Sequence, residues 1–488
     1  MVTSKSHQLL AGRALGLNVI RSSSSSTLIF RKLASLHPGK ARTSSFLIVM
    51  ASRLNVYAEK PMTIKPARPT KNQTIFLSNL DQQLFFHVEM LFMYDVQSPD
   101  TGDVVDNVRN ALAEALVPYY FAAGRFRVNE QEKRLEVECN GAGADFAGAY
   151  CDSTIAELGD LRIPNPDFRK LLVYPVDVKR IEDIPLFSIQ VTRFKCGGFI
   201  VGIYTSHIVF DGISGCQFFS DIGRISRGES IAAKATMTPD RTTLRSRSPP
   251  RISYAHPELM SLPDIPARLL FNPASYDVSK PPVHAFKTFS FSLAQLDLLK
   301  KRAIEGGEVS RCSTFEALTG HVWKARTTAL GMDPSSRAKL FVAMNIRDKL
   351  KSPALPDGFT GNAVVAAPCV DTTVDSVVNG SLSLCVRKVR DAIASVNEEY
   401  IRSEIDWCEV NGHGIIDLPG GMIITPWSKL PFDGVDFGWG APTYIAAPVN
   451  DRPEYVLVLS SCKGDGGVDV FMAMEFHKMR KLEECLSI

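Results

Sequence analysis

The chain has 488 residues, of which 45% are apolar and 22% charged, a balance typical of folded globular proteins. Its length predicts more than one domain, since single cores rarely exceed about 250–300 residues. No apolar run is long enough to span a bilayer, so no integral membrane span is predicted. The net charge is +3, but residues 1–49 hold seven Lys or Arg and no acid, which leaves +3 − 7 = −4 for the rest. That balance argues against a nucleic-acid-binding protein.

Residues 1–49 differ in composition from the rest of the chain. They contain spaced arginines and the serine tract 22–26, and the first acidic residue is Glu59. This pattern is typical of an organellar transit peptide, but Met50 also begins a sequence that fits a natural start. Both interpretations stay open, and both place residues 1–49 outside the fold as a disordered extension. A genuine transit peptide would direct the protein to a plastid or mitochondrion.

The ten cysteines are scattered, with no CxxC pair and no Cys/His spacing typical of a metal site. Because no secretory signal is evident, we expect reduced thiols and a cytoplasmic protein. The sequence predicts no metal and no permanently bound cofactor.

The first half of the chain mixes predicted strands and helices. Residues 84–94 and 196–206 are rich in apolar or β-branched residues and predict buried strands, whereas residues 105–116 and 216–225 have helical periodicity. Asp211 and Gly212 predict a turn after the second strand. The sequence therefore favours an α/β fold.

The composition changes over residues 227–282, where Pro, Ser and Arg are frequent and apolar pieces are short, which indicates a linker or crossover. Beyond it, residues 286–293 and 338–345 predict strands, and residues 296–304 and 314–330 predict helices. Ser313 or Thr314 is the expected N-cap of the second helix, with Glu316 in its first turn.

The segment from Ser206 to Gly212 (SHIVFDG) carries the most chemistry. A His and an Asp four residues apart could bind a metal on a helix face. However, β-rich sequence precedes His207 and Gly212 follows Asp211, so we predict a strand end and a turn, from which the imidazole faces a cleft. An isolated HxxxD is more often an ordinary histidine than a catalytic one.

A second motif, Asp436-Phe437-Gly438-Trp439-Gly440, contains the letters of the kinase DFG. No Gly-rich loop, HRD segment or VAIK lysine accompanies it, which excludes a kinase. Two glycines around a tryptophan predict a tight loop locked by a large ring. By itself the motif indicates a structural role.

Together, HxxxDG in mid-chain and DFGWG near the C-terminus resemble the plant BAHD acyl-CoA-dependent acyltransferases, over essentially all of residues 53–488. Further matching segments are residues 76–82 (FLSNLDQ), 116–126 (LVPYYFAAGRF), 314–326 (TFEALTGHVWKAR) and 345–347 (NIR).

The resemblance implies two similar-sized α/β domains with mixed sheets, as in chloramphenicol acetyltransferase, joined by a long crossover and separated by a solvent tunnel. We expect an N-terminal domain over residues 50–226, a crossover over 227–285 and a C-terminal domain over 286–488. The family is usually monomeric.

The resemblance also implies roles for individual residues. His207 would be the general base, and a neutral imidazole has a suitable pKa for taking a proton from an attacking hydroxyl. Asp211 would face away from the substrate and pair with Arg347, supporting the site together with Gly212, Asp436 and Gly438.

Two further groups of residues are expected at the site. Thr425 and Trp427 are the expected donors to the oxyanion, although Pro426 stands where the family usually has Ser, and simple packing is an equal alternative for Trp427. Ser313, Thr314 and Lys324 lie where the family approaches coenzyme A. Ala441 departs from the Lys or Arg that commonly follows DFGWG.

The expected donor is therefore an acyl-CoA co-substrate, and the acceptor is an alcohol or an amine. The LSNLDQ segment is similar to members that transfer hydroxycinnamoyl groups (feruloyl or caffeoyl) to long-chain ω-hydroxy fatty acids or fatty alcohols, which is the preferred hypothesis. Another acceptor remains open, as does a non-enzymatic family member that assists very-long-chain lipid elongation.

Overall fold

The computed structural model describes residues 54–96, 104–163, 165–175, 178, 180–231, 237–261, 284–412, 414–448, 452–461 and 464–488. The predicted extension 1–49 lies outside these residues, as do residues 232–236 and 262–283 of the predicted crossover. Among the described helices, none combines the length and the apolar character needed to cross a membrane.

The described part of the chain contains eighteen strands. They are β1 (Val56–Ala58), β2 (Met62–Ile64), β3 (Thr74–Phe76), β4 (His87–Tyr94), β5 (Arg125–Asn129), β6 (Arg134–Glu138), β7 (Ala144–Cys151), β8 (Phe187–Phe194), β9 (Phe199–Ser206), β10 (Leu259–Ser261), β11 (Ala285–Phe291), β12 (Leu340–Asn345), β13 (Val364–Cys369), β14 (Gly414–Ile416), β15 (Met422–Thr425), β16 (Tyr444–Ala446), β17 (Tyr455–Ser460) and β18 (Val468–Met474).

Nine α-helices are described over the same ranges. They are α1 (Asn79–Gln82), α2 (Val104–Ala115), α3 (Gly212–Ser226), α4 (Leu293–Glu305), α5 (Thr314–Leu330), α6 (Val374–Asn379), α7 (Leu382–Ser395), α8 (Glu398–Asn411) and α9 (Phe476–Leu486). All strands and helices predicted from the sequence are present, with ends that shift by a few residues.

Two mixed sheets form the centre of the two halves. The first has the order β1-β7-β8-β9-β4-β16, with β2 also paired to β7, and its β7–β8 pair is parallel. The second has the order β11-β18-β17-β15-β12-β13, with parallel pairs at β12–β15 and β15–β17. The expected two-domain architecture with mixed sheets is therefore confirmed.

One strand crosses between the halves. β16 belongs to the second half of the chain but pairs antiparallel with β4 of the first sheet, so that Ile445 lies opposite Phe92. The sequence did not predict this exchange, because three residues carry too little periodicity to indicate a partner. The exchange brings the DFGWG segment, which precedes β16, onto the first half.

Helix α5 begins where the sequence predicts. The Ser313 side chain accepts a hydrogen bond from the Glu316 main-chain N–H, and Glu316 reaches back to the Ser313 N–H at 2.6 Å, which makes a capping box. The helix ends at Gly331, which has a φ of 63°. Glycine adopts this left-handed conformation without a steric penalty.

The described parts of the crossover are more deeply built into the fold than their composition indicates. Arg241 and Leu244 are buried, and β10 pairs with β14 of the second half. His256 accepts or donates through both ring nitrogens, to Glu258 at 2.8 Å and to Ser403 at 2.9 Å, with all three side chains buried. This segment is held in place by hydrogen bonds to α8, although its sequence has no hydrophobic periodicity.

Candidate active site

A cavity of about 600 Å³ lies between the two sheets, within the size range of small-molecule sites. Its lining comes from both halves of the chain, including β4, α3, β12, β13 and β15. Most of the lining side chains are apolar: Leu84, Phe85, Phe86, Val88, Met90, Phe210, Ile213, Phe219, Ile415, Ile416, Leu418, Ile423, Trp427, Leu430 and Phe432. The charged side chains that reach the lining are Asp211, Arg347, Lys429 and Arg452.

His207 lines this cavity directly after the end of β9. Its main-chain N–H donates to the carbonyl of Phe86 at 2.8 Å, and the Phe86 ring lies 5.0 Å from the imidazole. The three-residue turn from His207 to Val209 is closed by a hydrogen bond from the Val209 N–H to the Ser206 carbonyl. The strand end that the sequence predicts is therefore present, and the imidazole faces the cavity.

Burial lowers the pKa of His207 below its usual value of 6.5, because desolvation penalises the imidazolium. The His207 carbonyl, Asp211, Asn362 and Asp81 oppose this effect. Nδ1 is buried and makes no hydrogen bond of good geometry to a described residue. The net result is an imidazole kept neutral at pH 7, which is the form a general base needs.

Asp211 does not continue a turn, as the sequence indicated, but is the N-cap of α3. Its carboxylate accepts from the Ser214 N–H at 2.8 Å and from the Ala363 N–H at 3.0 Å. Arg347 donates to both carboxylate oxygens, at 2.7 and 3.1 Å. The helix begins four residues earlier than predicted, because the aspartate satisfies its first free N–H groups.

Gly212 follows the cap and packs closely against a side chain of the cavity wall. A Cβ at this position would lie 2.6 Å from Cδ1 of Leu430, which belongs to the cavity wall. Its backbone does not have a positive φ, so its conformation does not require glycine.

The DFGWG loop lies away from the cavity lining and closes on itself. Asp436 Oδ1 accepts from the N–H groups of Gly438 at 2.8 Å and Gly440 at 2.9 Å. Both glycines have positive φ, 112° and 90°. Trp439 packs edge-on against Phe199 of β9, 5.2 Å between ring centroids.

The same loop contacts helix α3. Arg227 donates to the Asp436 carbonyl, and Ser226 Oγ donates to the Phe437 carbonyl at 2.9 Å. A Cβ at Gly223 would overlap the Asp436 carbonyl oxygen, so the helix and the loop approach as closely as glycine permits. Asp436 and Gly438 thus brace the helix whose first turn follows His207.

Thr425 and Trp427 both line the cavity with His207. Thr425 is the last residue of β15, and Trp427 starts a short 3₁₀ turn in which Pro426 has φ −84° and ψ 74°. The indole packs against Phe432, 5.8 Å between centroids.

The residues expected at coenzyme A do not line this cavity. Ser313 caps α5 and borders a separate surface pocket with Arg311 and Arg390. The Lys324 ammonium donates to the carbonyls of Val377, Val378 and Gly380 at 2.6–3.0 Å, where α6 ends. Lys324 therefore satisfies a helix C-terminus.

Asn362 is a site residue that the sequence did not reveal. It is fully buried, and its Nδ2 donates to the His207 carbonyl at 2.9 Å and to Asp81 at 2.8 Å. Asp81 lies in the LSNLDQ segment, but nothing in that segment indicates a contact with His207. In the described ranges, no cluster of His, Cys, Asp or Glu is arranged to hold a metal ion.

The fold and the cavity define an architecture of two mixed sheets with a largely apolar cavity between them. Vinorine synthase has this fold, with a TM-score of 0.65 and 19% sequence identity over 88% of this chain and 96% of that chain.

The family follows from sequence comparison. Residues 54–487 match the family model described as the Transferase family, so the chain belongs to this family, the BAHD acyl-CoA-dependent acyltransferases. Two relatives from Arabidopsis thaliana are similar over nearly their whole length. Omega-hydroxypalmitate O-feruloyl transferase is 33% identical over 88% of this chain and 92% of its own, and fatty alcohol:caffeoyl-CoA acyltransferase is 33% identical over 89% and 99%. The chain is an acyl-CoA-dependent acyltransferase.

Proposed function

We propose that the protein transfers a hydroxycinnamoyl group, feruloyl or caffeoyl, from coenzyme A to the hydroxyl of a long-chain ω-hydroxy fatty acid or a fatty alcohol. The observation that supports this most is the predominantly apolar wall of the cavity that contains His207. An aliphatic chain gains free energy by leaving water for such a wall. The names of the two relatives point to the same substrates.

His207 acts as the general base in this proposal. Nε2 takes the proton of the acceptor hydroxyl as its oxygen attacks the thioester carbonyl. The tetrahedral intermediate then expels coenzyme A as a thiolate, which recovers the proton from the imidazolium. A base of this kind contributes roughly 10²–10⁴-fold in rate. No covalent acyl-enzyme is required, because the thiolate is already a good leaving group.

The Trp427 indole N–H and the Thr425 hydroxyl are the proposed donors to the oxyanion of that intermediate. Both side chains line the cavity with the base, and preorganised donors of this kind stabilise the charge that forms there. Asp211, Gly212, Arg347, Asp436 and Gly438 are proposed to support the site. Asp211, Gly212 and Arg347 also line the cavity, but we assign them no chemical step.

Fewer residues are proposed to contact coenzyme A than the sequence suggested. Ser313 and Thr314 remain proposed contacts, since Ser313 borders a surface pocket beside two arginines. Lys324 fits less well, because its ammonium already satisfies three carbonyl groups. We also propose a cytoplasmic monomer that binds acyl-CoA only as a co-substrate.

The test uses the purified full-length protein with a panel of acyl-CoAs and acceptors, followed by release of free thiol. Feruloyl-CoA or caffeoyl-CoA with a C16 ω-hydroxy acid or alcohol should turn over fastest, and shikimate, anthranilate and short alcohols should be poor acceptors. His207→Ala should abolish turnover, and His477→Ala, which alters an exposed side chain, should not change it.

Two results would contradict the proposal. Turnover by His207→Ala at the wild-type rate would exclude the base mechanism. An absence of thiol release with every pair would favour the non-enzymatic role in lipid elongation, and a preference for an amine or a small alcohol would correct the acceptor.

A further inference from the structure

A buried ion pair connects the crossover to the first half of the chain beneath His207. Arg241 Nε lies 3.3 Å from Asp81 Oδ2, and the two side chains are 1% and 0% exposed. The same oxygen accepts from the main-chain N–H and the hydroxyl of Ser78, both at 2.7 Å. Buried charges are costly unless they are paired and hydrogen-bonded, and Asp81 meets both conditions through Arg241 and Ser78.

The second carboxylate oxygen of Asp81 fixes one edge of the Asn362 side chain. Asp81 Oδ1 accepts from Asn362 Nδ2 at 2.8 Å, and the same Nδ2 donates to the His207 carbonyl at 2.9 Å. A carboxylate and a carbonyl can only accept, so the amide cannot turn over without losing both bonds. The Asn362 oxygen is therefore held on the opposite edge.

One buried polar atom of each side chain remains unsatisfied by the described residues. Asn362 Oδ1 and His207 Nδ1 each lack a hydrogen bond of good geometry to a described residue. The two side chains are neighbours, since Asn362 Nδ2 donates to the His207 carbonyl at 2.9 Å, and both that carbonyl and Asn362 raise the pKa of the imidazole. An acceptor beside Nδ1 favours the tautomer that carries its proton there, which leaves the Nε2 lone pair free.

Arg241 also contacts the turn that carries the imidazole. Its Nη2 donates to the Val209 carbonyl at 3.0 Å, two residues after His207. The ion pair thus reaches both ends of the turn, at the His207 carbonyl through Asn362 and at Val209 directly. The Asp211–Arg347 pair, by contrast, holds the start of α3.

From these contacts we infer that Asp81, held in place by Arg241, is a positioning residue that orients Asn362 so that its oxygen selects the Nδ1–H tautomer of His207. The inference rests on the proposed role of His207 as the base. Asp81 and Asn362 do not line the cavity, so they act through His207 and not on the substrate.

The test compares the full-length protein with Asp81→Asn by ¹⁵N NMR of labelled histidine, with the His207 signals assigned by their loss in His207→Ala. Neutral His207 should carry its proton on Nδ1 in the wild type and show a mixture of tautomers in Asp81→Asn. We expect kcat to fall roughly 10- to 100-fold, with little change in KM, since misplacement of a catalytic group has effects of this size.

Asp406→Asn is the matched control. Asp406 is also a fully buried carboxylate paired with an arginine, Arg247, at 2.6 Å, but it contacts neither the turn nor the cavity. It should lower the Tm and leave the tautomer and kcat unchanged. If Asp81→Asn does not fold, the tautomer of the wild-type protein is the first test of the inference. The second is the tautomer and kcat of Asn362→Ala, a variant that keeps the Asp81–Arg241 ion pair.

A wild-type His207 protonated on Nε2 would overturn the inference, as would a variant of Asp81 or Asn362 with an unchanged tautomer and kcat. These outcomes leave the proposed function intact as long as His207→Ala is inactive. An active His207→Ala would instead remove the base mechanism itself.

Discussion

Arg347 holds Asp211 through two hydrogen bonds, of 2.7 and 3.1 Å, although the two residues come from different halves of the chain. The same guanidinium donates to Ser214 Oγ at 2.9 Å and to the Gly361 carbonyl at 3.3 Å. The aspartate of the HxxxD motif is therefore occupied by the interface between the halves and by the start of α3. Its two oxygens already accept hydrogen bonds from Ser214, Ala363 and Arg347, so they are not available for a relay with His207.

Removing the Asp211 carboxylate should cost both stability and activity. The pair is largely buried, with side-chain exposures of 6% and 19%, so Asp211→Ala should lower the free energy of unfolding by roughly 2–5 kcal/mol. Urea denaturation with parallel activity assays measures both effects. A fully stable Asp211→Ala protein with only a kinetic defect would show that the residue takes part in the chemistry.

The oxyanion donors can be separated from simple packing. Trp427→Phe keeps a ring against Phe432 but removes the N–H, and Thr425→Val keeps the shape but removes the hydroxyl. Each should lower kcat about 10²-fold with a smaller change in KM, because loss of one such donor has this effect. An unchanged kcat in Trp427→Phe would leave Trp427 with a packing role.

The pH dependence of kcat/KM should follow His207. Since its pKa lies below 6.5, the imidazole is neutral above that pH, and the rate should reach a plateau by about pH 7. Below the pKa, kcat/KM should fall tenfold per pH unit as the base becomes protonated. Rates with a saturating second substrate, measured from pH 5 to 9, test this. A rise that continues above pH 8 would indicate another base.

Glu404 should make stability depend on pH. Burial raises the pKa of this carboxyl from 4.5 to about 7, while Gln83 donates to it and lowers the pKa. Between these values the folded protein holds a proton that the unfolded chain releases, so stability decreases as pH rises through this window, by about 3 kcal/mol in total. Glu404→Gln should lose that dependence. The comparison is the unfolding free energy at pH 5 and pH 8, and equal slopes for both proteins would contradict it.

The contact between the DFGWG loop and α3 gives a steric prediction. Gly223→Ala places a Cβ against the Asp436 carbonyl and should destabilise the protein by about 1–3 kcal/mol, because the loop must move away. Gly215→Ala on the same helix is the control, since its Cβ would lie 3.6 Å from Phe219, an ordinary contact. Thermal unfolding of the two variants should separate them clearly, and equal Tm values would show that the loop adapts.

The sequence by itself determined the local structure and the reaction class. Strand and helix periodicity placed four of the strands and four of the helices, and an N-cap expected at Ser313 or Thr314 marked the start of α5. HxxxDG with DFGWG identified the family and singled out His207, because each motif is a short continuous segment that can be recognised without knowing the fold.

Only the tertiary structure decided which distant residues meet His207. Asp81, Arg241 and Asn362 are far apart in the chain and resemble ordinary polar residues in the sequence, yet they join in one buried network. The pairing of β16 with β4 and the hydrogen bonds from Lys324 to the end of α6 depend in the same way on long-range packing. Such contacts arise from burial and hydrogen-bond satisfaction across the whole fold, which no local pattern encodes.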